Sequence, residues 1–294
     1  MQTFLKFIAL LAGSLIIAAA LAYPAWHLVA LVSVEPFHRV MHRVAMLVAL
    51  VGLIVLVRRL KLADRASLGY GLPRPVFLRQ LALGFVAGIA MMVPLIAMLY
   101  GLEVRVPRDG FDWGSGRLIA AIGGGLLSGA AVALIEETFF RGAMQTGVAR
   151  ESGQRLAILL PSLLYASLHF LGGKLRVPAE EVEWASGIDV LANLFERYTA
   201  PLELLDSFVA LTAVGVLLAL VRARTGAIAA CLGLHAAWVC VISVLREASV
   251  RNPQAGASWL VGSYDGVIGW GAFAWIAVMA FAYGIWMARR RQAA

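Results

Sequence analysis

The chain has 294 residues, of which 61% are hydrophobic and only 14% charged, with a mean hydropathy of +0.84. Soluble domains run at about a quarter charged, so this composition excludes an ordinary soluble protein and describes an integral membrane protein. The net charge of +8 is then a topology signal before it is a partner signal, because basic residues mark the side on which loops remain.

A spanning helix needs roughly 20 mainly apolar residues. Such runs fall at 7–33, 40–57, 77–100, 118–140, 156–171, 204–221, 227–246 and 265–288. The first is long enough to tilt or to bend near Pro24. Its "ALAYPA" offers the small residues of a cleaved leader, but the apolar stretch is too long and Lys6 alone precedes it. A retained helix is expected. His27 near its outer end is expected to be interfacial. So is the cluster of Glu35, His38 and His42, although the i, i+4 histidines would also suit a metal pair. The fifth run is short. Between the fifth and sixth runs, the acidic 171–206 segment contains "AEEVEW" and "DVLANLFERY", which predict a short amphipathic helix capping the outer surface. Cys231 and Cys240 lie nine residues apart on the seventh run, roughly 13 Å along a helix, which is too far for a disulfide. No repeat or linker divides the chain. The expected fold is all-α: a single integral membrane domain over 1–294, with about eight spans.

Charge supports that count. Starting inside, one side collects Lys6, the 58–79 loop, Arg141, Arg150, Arg155, Arg222, Arg224 and Arg289 to Arg291. That is fifteen basic residues against Asp64 and Glu151. The other side holds ten basic and thirteen acidic residues. Both termini are therefore expected in the cytoplasm. The 58–79 loop also favours anionic lipid. Dispersed arginines without a recognition motif argue against nucleic acid.

Within the fourth run, "LIEETFFRGAMQ" (134–145) places two carboxylates where lipid-facing residues belong. Glu137 and Arg141 stand at i, i+4 with the acid first, the favourable order for a helical ion pair. Glu136 points about 100° away and needs another polar partner inside the membrane. Two histidines lie well within the apolar helices: His169 in "SLLYASLHF" and His235 in "CLGLHAAWV". Glu136 and His169 each lie 16.5 residues from the middle of the "ESGQ" connection, so they are level if both arms are helical. His235 follows Arg224 by eleven residues, roughly 16 Å inward. A carboxylate beside an imidazole in a water-restricted cavity is general-base machinery, and a second histidine could hold an oxyanion. The same three residues would equally serve as a proton relay in a small-molecule transporter, or simply fix helix packing. Against the transporter, no inverted repeat or pair of broken helices is present. The glycine-rich "AIGGGLLSGAA" at 121–131 is explained by close helix packing.

Three motifs in order resemble those of the CPBP family, the CAAX-protease and bacteriocin-processing proteins related to the type II CAAX prenyl endopeptidase. "EETFFR" resembles EExxxR, "YASLH" resembles FxxxH with Tyr165 for Phe, and "HAAWV" resembles HxxxN. The resemblance covers about 117–246, leaving 1–116 and 247–294 as additional helices. It implies an intramembrane endopeptidase acting on a peptide or membrane-protein substrate, and a location in the bilayer of a bacterial inner membrane. Glu136 would activate water, assisted by His169, and His235 would stabilise the oxyanion. Glu137 and Arg141 would support them. The family's Asn is Val239 here, and loss of one oxyanion donor costs about 100- to 1000-fold in turnover. Trp238 Nε1–H or a backbone N–H would be the substitute donor on this reading; without one, activity would be reduced, or the chain would be an inactive, peptide-binding or scaffolding relative. The Tyr165 hydroxyl adds a donor one turn from His169. The family is described both as metalloprotease and as metal-free. Glu136, Glu137, His169 and His235 could supply ligands to a zinc, but the metal-free form, with no cofactor, is the one favoured.

Overall fold

Backbone N–H and C=O groups find no water in a bilayer core, so apolar runs that enter it become helices. A computed structural model describes residues 1–111, 114 and 116–292. Asp112, Trp113 and Ser115 of the third connecting loop, and the side chains of Arg290 and Arg291 in the basic C-terminal group, lie outside the described residues.

In chain order come α1 (Gln2–Ala30), α2 (Phe37–Arg59), α3 (Arg74–Gly101), β1 (Arg105–Pro107) and α4 (Gly116–Glu137). A π-helical turn, Thr138–Met144, carries α4 into α5 (Gln145–Ser152). Then follow α6 (Gln154–Leu168), α7 (Ser186–Asn193), α8 (Pro201–Thr225), α9 (Ala229–Ala248), β2 (Ser249–Arg251) and α10 (Trp270–Gln292). The fold is all-helical apart from the three-residue strands, which pair antiparallel with Val106 opposite Val250. Every expected apolar run contains a helix, although 7–33, 156–171, 227–246 and 265–288 extend past its ends. Among the described residues six helical segments are long and apolar enough to cross a membrane: α1, α2, α3, the continuous 116–152 segment, α8 and α9. The apolar stretches of α6 and α10 are shorter. At 15 residues, α6 reaches about 22 Å. α1 continues unbroken through Pro24.

The chain packs as two compact units, Met1–Ala63 with Ser167–Leu202, and Asp64–Ala166 with Glu203 onward. In the first, α1 and α2 form a hairpin whose core includes Ala18, Ala22, Phe37 and Met41. The short helix expected in the acidic segment is α7. It rests on α1, with Gly187 so close that a Cβ would lie 2.0 Å from the Ala19 carbonyl oxygen. Glu35 pairs with Arg43 at 3.1 Å, and His38 and His42 meet edge to face at 6.2 Å.

In the second unit, α9 is the central helix and both α3 and α4 lie on it. Small residues allow this approach: a Cβ at Gly84 would stand 2.3 Å from the Ala230 carbonyl oxygen, and one at Gly129 2.5 Å from that of Ala236. Met92, Leu95, Leu99, Leu218 and Trp238 fill the core on the α3 and α8 side of α9. Below it, the buried Arg105 ties the strands to the following loop through Ser249 Oγ at 2.7 Å and the Gly266 carbonyl at 2.9 Å.

Candidate active site

The site forms where α4 widens into the π turn. Thr138 opens that turn, and its hydroxyl donates to the Leu134 carbonyl at 2.6 Å. With that proton engaged, the Tyr70 hydroxyl is the donor across 2.6 Å to Thr138 Oγ1. π turns occur mostly as single insertions in α-helices, often at functional sites. Here the turn buries every residue from Phe139 to Gln145.

Glu137 sits at the centre, fully buried. Its Oε1 accepts from Arg141 Nη1 at 3.1 Å and from His235 Nδ1 at 2.8 Å. Arg141, 1% exposed, also donates to the Gly215 carbonyl on α8 at 3.3 Å. Its guanidinium carbon lies 4.7 Å from the centre of the Tyr165 ring, a cation–π contact. Tyr165 in turn meets His235 edge to face at 6.2 Å. With Nδ1 committed to Glu137, the other imidazole nitrogen, Nε2, faces Glu136 Oε2 at 3.8 Å. That separation is too long for a hydrogen bond. Among the described residues Glu136 Oε2 is buried with no hydrogen-bond partner, and its side chain as a whole is 28% exposed. So Glu137 commits Oε1 to Arg141 and His235 while its Oε2, like Glu136 Oε2, has no hydrogen-bond partner among the described residues, and Glu136 differs in being part-exposed at the edge of the site.

The structure thus brings together Glu136, Glu137, Arg141, Tyr165 and His235. Trp238, one turn from His235, is buried, and its Nε1 has no hydrogen-bond partner among the described residues. Val239 is half-buried, four residues after His235 on the same helix. His169 falls one residue past the end of α6, in the first unit, whereas Glu136 and His235 belong to the second. Tyr70 and Thr138 were not legible as site residues. The one signal is an aromatic between glycines, "GYG", within a basic connecting loop.

The donor set does not fit a zinc ion. Among the described residues no three His, Cys, Asp or Glu side chains are arranged to hold a metal. Glu137 Oε1 already receives a guanidinium and an imidazole, and a cation at that oxygen would oppose the Arg141 charge. The metalloprotease expectation therefore finds no support in the ligand arrangement. As a charge set the site is self-consistent: two carboxylates face one guanidinium and one imidazole, which cancel when the imidazole carries a proton. A buried cluster is tolerated when its charges are paired and bonded.

A charged, hydrogen-bonded constellation among long apolar helices belongs to an integral membrane protein. Residues 118–241 match the family of type II CAAX prenyl endopeptidase, Rce1-like. The matched stretch contains the three segments that resemble the motifs, with Tyr165 and Val239 as departures, and the family is one of proteases. No curated protein and no solved structure matches the chain.

Proposed function

We propose that the protein is an intramembrane endopeptidase in which Glu136 is the general base. The observation that supports this reading is the contrast between the glutamates: Glu137 is fully buried and held through Oε1 by Arg141 and His235, while Glu136 is 28% exposed, makes no hydrogen bond through Oε2 and faces His235 Nε2 at 3.8 Å. Water donates one O–H to Glu136 and its oxygen attacks the scissile carbonyl carbon. The proton passes to Glu136, and the C–N bond breaks as Glu136 delivers it to the leaving amine. In its imidazolium form His235 donates Nδ1–H to Glu137 and turns Nε2–H towards the developing oxyanion. The Trp238 indole N–H is the second donor, in place of the absent Asn. No metal enters these steps. The substrate is a peptide or membrane-associated protein, and the setting a bacterial inner membrane.

The test compares membranes holding equal amounts of wild type, Glu136→Gln and Trp238→Phe, with every protein terminus profiled by mass spectrometry. Termini present with wild type, absent with Glu136→Gln, and appearing about 100-fold more slowly with Trp238→Phe are expected, unchanged by chelator. Identical termini with wild type and folded Glu136→Gln would overturn the peptidase reading in favour of a relay or scaffold.

A further inference from the structure

Packing accounts for only part of the glycine-rich stretch at 121–131. A Cβ at Gly125 would lie 3.0 Å from the Cys240 carbonyl oxygen, and Gly129 is closer still to Ala236, so these two let α4 approach α9. At Gly123 and Gly124 a Cβ would meet nothing within 4 Å. An interior helical glycine is less favourable than alanine, so these two call for another explanation.

Gly124 lines a furrow between α4 and α9 with a volume of about 810 Å³. Three arginines edge it: Arg117 in the first turn of α4, Arg246 in the last turn of α9, and Arg108 just beyond β1. Among the described residues one carboxylate, Glu247, lines it with them. Arg108 is held in place by donating Nε to the Glu247 carbonyl and Nη2 to the Arg246 carbonyl, each at 2.7 Å. Both helices are long apolar spans, so the arginines stand at span ends, where a bilayer changes from headgroup to hydrocarbon. From Arg117 to Gly124 the helix descends about 10 Å, with Ala120 exposed along the way. A fitting ligand must carry an anion at the mouth and hydrocarbon below it.

We propose that this furrow binds one anionic phospholipid. Its phosphodiester sits among Arg108, Arg117 and Arg246, and one acyl chain lies over Ala120 and Gly124. Guanidinium–phosphate pairs are strong, often bidentate contacts, and basic pockets between spanning helices suit acidic headgroups. A side chain at position 124 would occupy the acyl path, which explains glycine there. The furrow is separate from the catalytic centre. Glu136 follows Arg117 by nineteen residues on the same helix, about 28 Å away, so lipid binding does not depend on the peptidase reading.

Native mass spectrometry of the full chain in uncharged detergent tests this. Phosphatidylglycerol and phosphatidylcholine with matched acyl chains are offered at equal concentration, with and without millimolar inorganic phosphate. One retained phosphatidylglycerol, favoured about tenfold over phosphatidylcholine, is expected. The Arg117→Gln/Arg246→Gln variant and Gly124→Leu should each lower that retention about tenfold without lowering the melting temperature. Equal retention of the two lipids, wild-type retention by the folded double variant, or complete displacement by inorganic phosphate would each overturn the proposal. The wild-type headgroup comparison decides the matter even if a variant does not fold.

Discussion

Glu136 and Glu137 are adjacent in sequence and opposite in circumstance, and that difference is measurable. Removing Glu137 leaves Arg141 buried against Gly215 and Tyr165 without its counter-charge, and breaking a buried pair costs about 3–5 kcal/mol. Glu136 makes no hydrogen bond through Oε2 among the described residues, so its replacement by Gln removes little. Thermal unfolding in detergent should therefore place Glu136→Gln within about 1 kcal/mol of wild type and Glu137→Ala several kcal/mol below it. Equal losses in the two variants would erase the assignment of Glu137 as support and Glu136 as base. The sequence exposed both residues because ionisable groups in apolar runs are few, and the i, i+4 spacing pointed directly at Arg141. It could not show that His235 also turns to Glu137, because that contact joins residues 98 apart. Nor could it show Tyr70, whose hydroxyl reaches Thr138 across 68 residues.

At the level of elements, the apolar run ends near 140 but the π turn carries the helix on towards the "ESGQ" connection. The helical segment continues to Ser152, beyond the reach of a hydropathy count, because its polar residues find specific partners. Gln145 donates to the Ala219 carbonyl at 2.9 Å, Thr146 to the Ser67 carbonyl at 2.8 Å, and Arg150 to Ser67 Oγ at 2.6 Å. Ser67 is itself fixed by Asp64, whose carboxyl is held below the usual range by the Ser67 side-chain and backbone hydrogen bonds. The 64–70 segment thus lies directly on the π turn. Gly142 marks the closest point: a Cβ there would lie 2.8 Å from the Leu68 carbonyl oxygen, a backbone atom that cannot rotate away. Gly142→Ala is expected to cost about 1–3 kcal/mol as overpacking and to make the 64–70 segment more susceptible to protease. Gly123→Ala, with open space around it, should leave both readouts at or above wild type. A neutral Gly142→Ala would mean that the segment does not press on the turn.

Across the second unit, contacts between loops sort the helix ends into two groups. Ser67 meets Arg150 and Arg222, and the Gly69 carbonyl accepts from the Ile228 amide. The loops before α3, after α5 and between α8 and α9 therefore share one end. Arg108 bonds the last carbonyls of α9, and β1 pairs with β2, so the loops after α3 and after α9 share the other. The alternation read from charge assigns the same two groups, and the side with fifteen basic residues against two acidic ones should face the cytoplasm. Cys231 and Cys240 are free and buried, so single introduced cysteines report against a low background. Arg65→Cys and Arg155→Cys should react with an impermeant maleimide only after the cytoplasmic face is opened. Asp109→Cys and Gln254→Cys should react in intact cells. The reverse pattern would turn the chain over, moving the Tyr70–Thr138 end of the site to the outside and its substrates with it. Reaction of Arg65→Cys and Arg155→Cys from opposite faces would break the shared end itself, and with it the hydrogen bonds that gather Arg150 and Arg222 around Ser67.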